Sequence, residues 1–202
     1  MASASRKGPS LLVARERFAI DGVFAISRGA RTHAEVVTAT LIDGPHRGRG
    51  ECLPYPRYVD SVAAEIEAMG PALADGLDRA GLQSAMKPGA ARNALDCALW
   101  DLEAKRGGVR VWTLAGLPEP GPVPTAFTLS IGEPEAMRAK AEANARRPLL
   151  KIKLGGEGDL ERLRAVREGA PDATLIIDAN EGWSAEDYAA LAPEMAALGV
   201  AM

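Results

Sequence analysis

The chain has 202 residues, 47% of them hydrophobic, enough for one large domain or for one small domain with part of another. A formal net charge of −3 and a pI near 5.5, with no basic tract longer than two residues, exclude nucleic acid as the main partner. No apolar stretch approaches a membrane span, and the opening "MASASRKGPS" lacks an apolar signal core, so a cytoplasmic setting with no membrane partner is expected.

Patterning is β-like from 11 to about 53. Strand candidates are "LLVARERFAI" (11–20), "AEVVTATLID" (34–43) and "GRGECLPY" (48–55). "DGV" at 21–23 and "IDGPHRG" at 42–48 are read as the turns between them. From about 58 to 107 the pattern becomes helical. "DSVAAEIEAMGPAL" repeats Val62, Ala63, Ile66 and Met69 at helical spacing. "AARNALDCALWDLEAKRGG" aligns Ala91, Leu95, Ala98, Leu99 and Leu102 in one stripe, with Gly107 as the stop. Strands followed by helices predict a small α+β domain over 11–118.

The rhythm changes after the Pro/Gly-rich "LAGLPEPGPVP". Strands are expected in "TAFTLSIG", "LLKIKLG" and "ATLIIDAN". Helices are expected between and after them: "EPEAMRAKAEANARR" with Pro134 in its first turn, "DLERLRAVREGA" with Leu160, Leu163 and Val166 on one face, and "SAEDYAALAPEMAALG". Ser184 and Asp187 have capping-box spacing, and Pro193 is positioned to kink the last helix. "VAM" at 200–202 reads as a further strand. Alternating strands and helices with short connections are the pattern of a parallel sheet or barrel. A complete eight-stranded barrel needs about 250 residues, so 122–202 reads as an incomplete β/α barrel of about three strands behind the α+β domain.

In such a barrel the reacting groups gather at the C-terminal ends of strands. Lys151 and Lys153, one residue apart, share a strand face, while Leu150, Ile152 and Leu154 share the other. Asp178 ends the next strand, and Thr128 lies in the first. A lysine that is desolvated or near another cation can act as a general base. On an edge strand the same pair would face water and block aggregation; the flanking β/α units place this strand inside the sheet. Asp178 at a barrel mouth suits a hard cation; taken alone it better suits the cap of the following helix or turn. Together, a lysine pair and a carboxylate one β/α unit later fit removal of a proton α to a carboxylate, with a cation on the developing enediolate.

Other polar residues carry less. His33 and His46 lack partner spacing, and Glu51 reads as a strand end or cap-orienting group. Cys52 and Cys97 lack metal spacing and read as small buried residues. Trp100 and Trp112 read as packing residues. The "GGEGD" loop lacks the ending of a phosphate loop.

The segments "GRGECLPYPRY", "ARNALDCALWDLEAK", "TAFTLSIGEPEAM", "LLKIKLG" and "LIIDANEGW" resemble the enolase superfamily in its muconate-lactonizing subgroup. "GECLPYPRY" is most similar to dipeptide epimerases of the L-Ala-D/L-Glu type. The resemblance covers about 12–202. It implies a modified (β/α)7β barrel under a capping, substrate-choosing domain. The superfamily's established chemistry is a Lys or His base acting with Mg2+. By resemblance, Lys153 is the acid/base and Lys151 supports it by lowering its pKa. Asp178 is the first Mg2+ ligand, with Asn180 beside it. Thr128 lies near the substrate, and Arg28 matches an arginine that pairs with the dipeptide's glutamate side chain.

The family also uses two further acidic ligands and an opposing lysine, which these 202 residues do not supply. The expectation is therefore an N-terminal portion that is inactive alone and poorly soluble. Muconate cycloisomerisation or o-succinylbenzoate synthesis on the same frame is an alternative, as is a non-catalytic remnant or one half of a split enzyme with a complementing chain. A homo-oligomer is also compatible.

Overall fold

The computed structural model of the chain describes residues 8–26, 29–55 and 58–202. The chain divides into two compact units, one of residues 1–19 with 33–121 and the other of 20–32 with 122–202.

Strands β1 (Ser10–Ile26), β2 (Gly29–Asp43) and β3 (His46–Cys52) form a sheet in that order, with the parts of β1 and β2 between residues 20 and 32 grouped with the second unit. β2 and β3 pair antiparallel from Val37–Cys52 to Asp43–His46. The "IDGPHRG" turn lies where expected. Gly44 has φ 56, and Pro45 cannot follow it with a positive φ, the combination a two-residue type II′ turn requires. The turn expected at "DGV" does not form. β1 runs through it to Ile26, with Gly22 at φ 77 inside the strand. A glycine can hold that conformation without reversing the chain.

The helices of the first unit are α1 (Val59–Glu67), α2 (Gly70–Ala74), α3 (Arg79–Ala85), α4 (Ala90–Gly107) and α5 (Val111–Leu114). The continuous helix expected over 60–73 is two pieces. Pro71 lacks an amide donor and its ring crowds the carbonyl four residues back, so it is accommodated in the first turn of a new helix instead. α3 starts where Asp78 Oδ1 accepts the Gly81 amide at 2.8 Å. α4 follows its apolar stripe: Ala91, Leu95, Ala98, Leu99 and Leu102 are all buried. Gly107 is its last residue, and Gly108, at φ 62, makes the left-handed stop.

α4 lies almost on the backbone of β3. A Cβ on Gly48 would fall 2.2 Å from Ala98 O, and one on Gly50 would fall 2.0 Å from Ala94 O. Only glycine permits that approach. Val37, Ala39 and Leu41 of β2 complete this core with α4.

The second unit carries β4 (Phe127–Leu129), α6 (Pro134–Ala143), β5 (Leu149–Lys153), α7 (Asp159–Gly169), β6 (Thr174–Asp178) and α8 (Ala185–Ala197). The three strands form a parallel sheet in chain order, the incomplete barrel expected. Val200 bridges Leu175 in parallel. Ala201 N donates to Leu175 O at 2.9 Å and Ile177 N to Met202 O at 2.7 Å, so "VAM" begins to pair on β6. Leu150, Ile152 and Leu175, each fully buried, face α6–α8 residues such as Met137, Leu163 and Val166. The Ser184–Asp187 capping box is complete, and α8 continues through Pro193. Among the described residues no helix is long and apolar enough to cross a membrane.

Candidate functional site

The parallel register sets the site. Thr128 is the partner of Lys151, and Lys153 is the partner of Asp178. Cross-strand partners share a sheet face, so Thr128, Lys151, Lys153 and Asp178 occupy one side near the C-terminal strand ends. The opposite side holds Leu150, Ile152 and Leu154, all buried. Alternation along five residues thus separates a packing face from a polar one.

Both lysines converge on one oxygen. Lys151 Nζ and Lys153 Nζ each lie 2.8 Å from Asp178 Oδ2. Lys153 also donates to Asn180 Oδ1 at 2.8 Å. Asp178 Oδ1 accepts the Asn180 amide at 2.9 Å. The Lys153 side chain is 6% exposed and that of Lys151 33%. The charges of the pair are therefore held by a carboxylate placed between them. Hydrogen bonds from Lys151 first, then Lys153, hold the Asp178 carboxyl well below the usual carboxylate range, and the Asn180 amide adds to this against the cost of burial.

Asn180 and Glu181 follow β6 at φ 51 and φ 62. Left-handed backbone is uncommon for residues with side chains, although asparagine tolerates it best. This turn carries the chain back so that the Asn180 amide and side-chain oxygen both meet the cluster. An open cleft of about 730 Å³ adjoins it, lined by Lys151, Asp178, Asn180, Trp183, Tyr188 and Met202 among others. Lys153 lies outside that lining.

Sequence reasoning missed Phe24. Its ring centroid is 5.8 Å from Lys153 Nζ and 5.2 Å from the Arg31 guanidinium, near enough for cation–π attraction. The segment carrying it is held by Ser130 Oγ donating to Val23 O at 3.2 Å and Ile131 N donating to Ala25 O at 3.4 Å. The turn expected at 21–23 had ended the strand before Phe24. Arg28 lies outside the described residues.

Asp159 was also missed. It is 3% exposed, and its carboxylate organises the "GGEGD" loop rather than any phosphate. Glu51, by contrast, sits exposed in β3, and the Trp100 ring is covered by the Arg79 guanidinium at 3.4 Å. Neither contributes to the cluster.

The cluster tests poorly as a metal site by itself. Among the described residues no three His, Cys, Asp or Glu side chains come together to hold an ion. Asp178 and Asn180 offer one carboxylate and one amide oxygen, whereas Mg2+ demands an octahedral oxygen shell. What these residues do provide is a desolvated amine beside a second ammonium and a carboxylate, the ingredients for proton transfer on an anionic ligand.

Residues 10–116 match the sequence profile of the mandelate racemase / muconate lactonizing enzyme N-terminal domain. Residues 136–202 match that of the enolase C-terminal domain-like group. The chain is 46% identical over 195 residues to the L-Ala-D/L-Glu epimerase of Escherichia coli strain K12, covering 94% of this chain and 61% of that protein. A solved enolase-family structure from Agrobacterium tumefaciens, described as homologous to dipeptide epimerases and holding sodium and L-Ala-L-Glu, superposes with a TM-score of 0.90 at 53% identity. It is matched over 95% of this chain and 60% of its own. The dipeptide epimerase of Cytophaga hutchinsonii, solved with Mg and D-Ala-L-Val, superposes with a TM-score of 0.85 at 28% identity, over 95% of this chain and 57% of its own. The chain thus spans about 60% of the length of these relatives.

Proposed function

This chain belongs to the mandelate racemase / muconate lactonizing enzyme family, and from that premise we propose that it carries one catalytic face of a dipeptide epimerase. The proposed reaction inverts the α-carbon of the second residue of a dipeptide of the L-Ala-D/L-Glu type. The observation that carries this reading is the meeting of Lys151 and Lys153 on Asp178 Oδ2, at 2.8 Å each, at adjoining strand ends.

In this reading Lys153 Nζ takes the α-proton and returns it. To act as a base it must first be neutral. A base at Lys153 also requires its contact with Asp178 Oδ2, at 2.8 Å, to open. Asp178 would serve Mg2+ as one ligand of several, the others lying outside the described cluster. Such an ion, when bound, supplies stabilisation of the enediolate charge. Lys151 steers the substrate carboxylate, and Thr128, its register partner, borders the same space. Arg28 would pair with the glutamate side chain. Residues 11–118 would form the capping domain that chooses the substrate, and 122–202 would form part of the catalytic barrel.

Inversion needs a second acid on the opposite face of the α-carbon, which the described cluster does not provide. The 202 residues alone are therefore not expected to epimerise, and a further polypeptide segment or a complementing chain is required. A cytoplasmic location suits this role.

The test combines intact mass with isotope exchange. Protein isolated from its native source would be weighed and incubated with Mg2+ and L-Ala-L-Glu in D2O. Deuterium at the glutamate α-carbon, lost in Lys153→Ala, supports the reading. Failure to exchange any dipeptide, with turnover of a muconate or o-succinylbenzoate precursor instead, would move the family assignment to a different reaction.

A further inference from the structure

Asp159 sits at the first position of α7, buried, and makes no contact with either catalytic lysine in the hydrogen-bond network described. Its Oδ2 accepts three donors: the amides of Gly155 and Gly156 at 2.8 Å each, and the indole Nε1 of Trp183 at 2.7 Å. Its Oδ1 accepts Arg162 Nη1 at 3.1 Å. Arg162 continues outward, donating from Nε to Gly132 O at 2.9 Å.

These bonds reach all three strand-end loops of the sheet. Gly132 follows β4, Gly155 and Gly156 follow β5, and Trp183 follows β6. The loops after β5 and β6 also touch directly. A Cβ on Gly182 would lie 2.6 Å from Gly155 Cα, and Leu154 N donates to Asp178 O at 3.3 Å. Lys153 lies two residues before the first clamped amide, and Asp178 and Asn180 lie within five residues of Trp183.

We propose that Asp159, seconded by Arg162, is a positioning residue that fixes the three loops against one another and so holds Lys153, Asp178 and Asn180 in register. The catalytic consequence rests on the epimerase reading; the clamp itself does not. A buried carboxylate that accepts four donors is rigid because each donor would lose a charged partner if it moved. Asparagine in its place keeps the shape but offers one acceptor where two oxygens are used, and its amide nitrogen would oppose either Arg162 or the three donors.

The experiment is amide hydrogen exchange on the protein in the form in which it is isolated from its source, without substrate, comparing the unaltered protein with Asp159→Asn. Exchange is expected to quicken about tenfold or more at Leu154, Gly155, Gly156, Asn180 and Gly182, while Leu150, Ile152 and Leu175 in the sheet stay unchanged. Trp183→Phe retains an aromatic ring and removes one donor. It should quicken Asn180 and Gly182 by a smaller factor and keeps the test available if Asp159→Asn does not fold. Unchanged exchange at Leu154 and Asn180 in either folded variant would overturn the proposal. So would uniform acceleration through the whole sheet, which marks a stability role alone. Because no dipeptide is present, this outcome is independent of whether the isotope-exchange test of the epimerase reading succeeds.

Discussion

Lys153 and Asp178 are register partners on neighbouring parallel strands, and their charged atoms meet at 2.8 Å. The backbone pairing of β5 with β6 thereby makes an ion pair between residues 25 positions apart. Lys151, two residues earlier on the same face, reaches the same oxygen. A one-residue slip would send both lysines into the core and Leu150 and Ile152 out of it, so the buried face and the polar cluster enforce the same register.

Removing the carboxylate charge should expose that dependence. Asp178→Asn leaves Lys153, with its side chain 6% exposed, without its anionic partner. Stability is expected to fall by about 1–3 kcal/mol at pH 7, the usual cost of leaving a buried charged group poorly paired. Urea unfolding followed by circular dichroism would show a lower midpoint at an unchanged slope.

The same pair predicts an acid limb. Lys151 and Lys153 hold the Asp178 carboxyl below its ordinary value, about 3.9 when unfolded. A lowered folded pKa stabilises the protein above the unfolded value, and the contribution fades as pH falls through the folded one. The stability difference between wild type and Asp178→Asn should therefore be steady from about pH 5 to 7 and shrink below about pH 4. A gap that persists undiminished to pH 2 would contradict this assignment.

Gly50 tests the closeness of α4 to β3. Gly50→Ala puts a methyl 2.0 Å from Ala94 O, so the helix must lift. A cost of about 1–3 kcal/mol is expected from overpacking, read as a lowered melting temperature. Gly121→Ala, with nothing within 4 Å of the added carbon, is the control and should leave that temperature nearly unchanged.

Lys153→Met keeps a long side chain in the buried position and removes the amine. If the epimerase reading holds, α-deuterium exchange should fall by about 10²- to 10⁴-fold, the range of general-base contributions. Circular dichroism should remain native. Retained exchange would place the base elsewhere.

Much of this was legible in the residues themselves. Strands and helices of the second unit alternate in the pattern of their apolar residues, and β5 ends in Lys153 and β6 in Asp178, so the K-x-K and D-A-N residues were placed at strand ends from the sequence. α3 and α5 escaped notice because helices of four to seven residues have too few turns to show a period, and α2 was read as the end of α1. The straight passage of β1 through Asp21–Gly22 escaped because glycine signals a turn locally, whereas pairing with β2 decides the outcome. Asp159 was hidden for a third reason. Its donors come from Gly155, Gly156, Arg162 and Trp183, and only the fold brings the indole to it.

Residues 20–32, which include parts of β1 and β2, group with residues 122–202, while the rest of 1–121 forms the other unit. The chain therefore passes between the two units near residues 19, 32 and 121 instead of once. Severing the proline-rich stretch around 121 leaves two covalent crossings intact on the N-terminal side. A protease cutting there would carry Phe24 away with the first fragment and strip the second of part of its own packing. A C-terminal half expressed from residue 122 would start without a piece of itself.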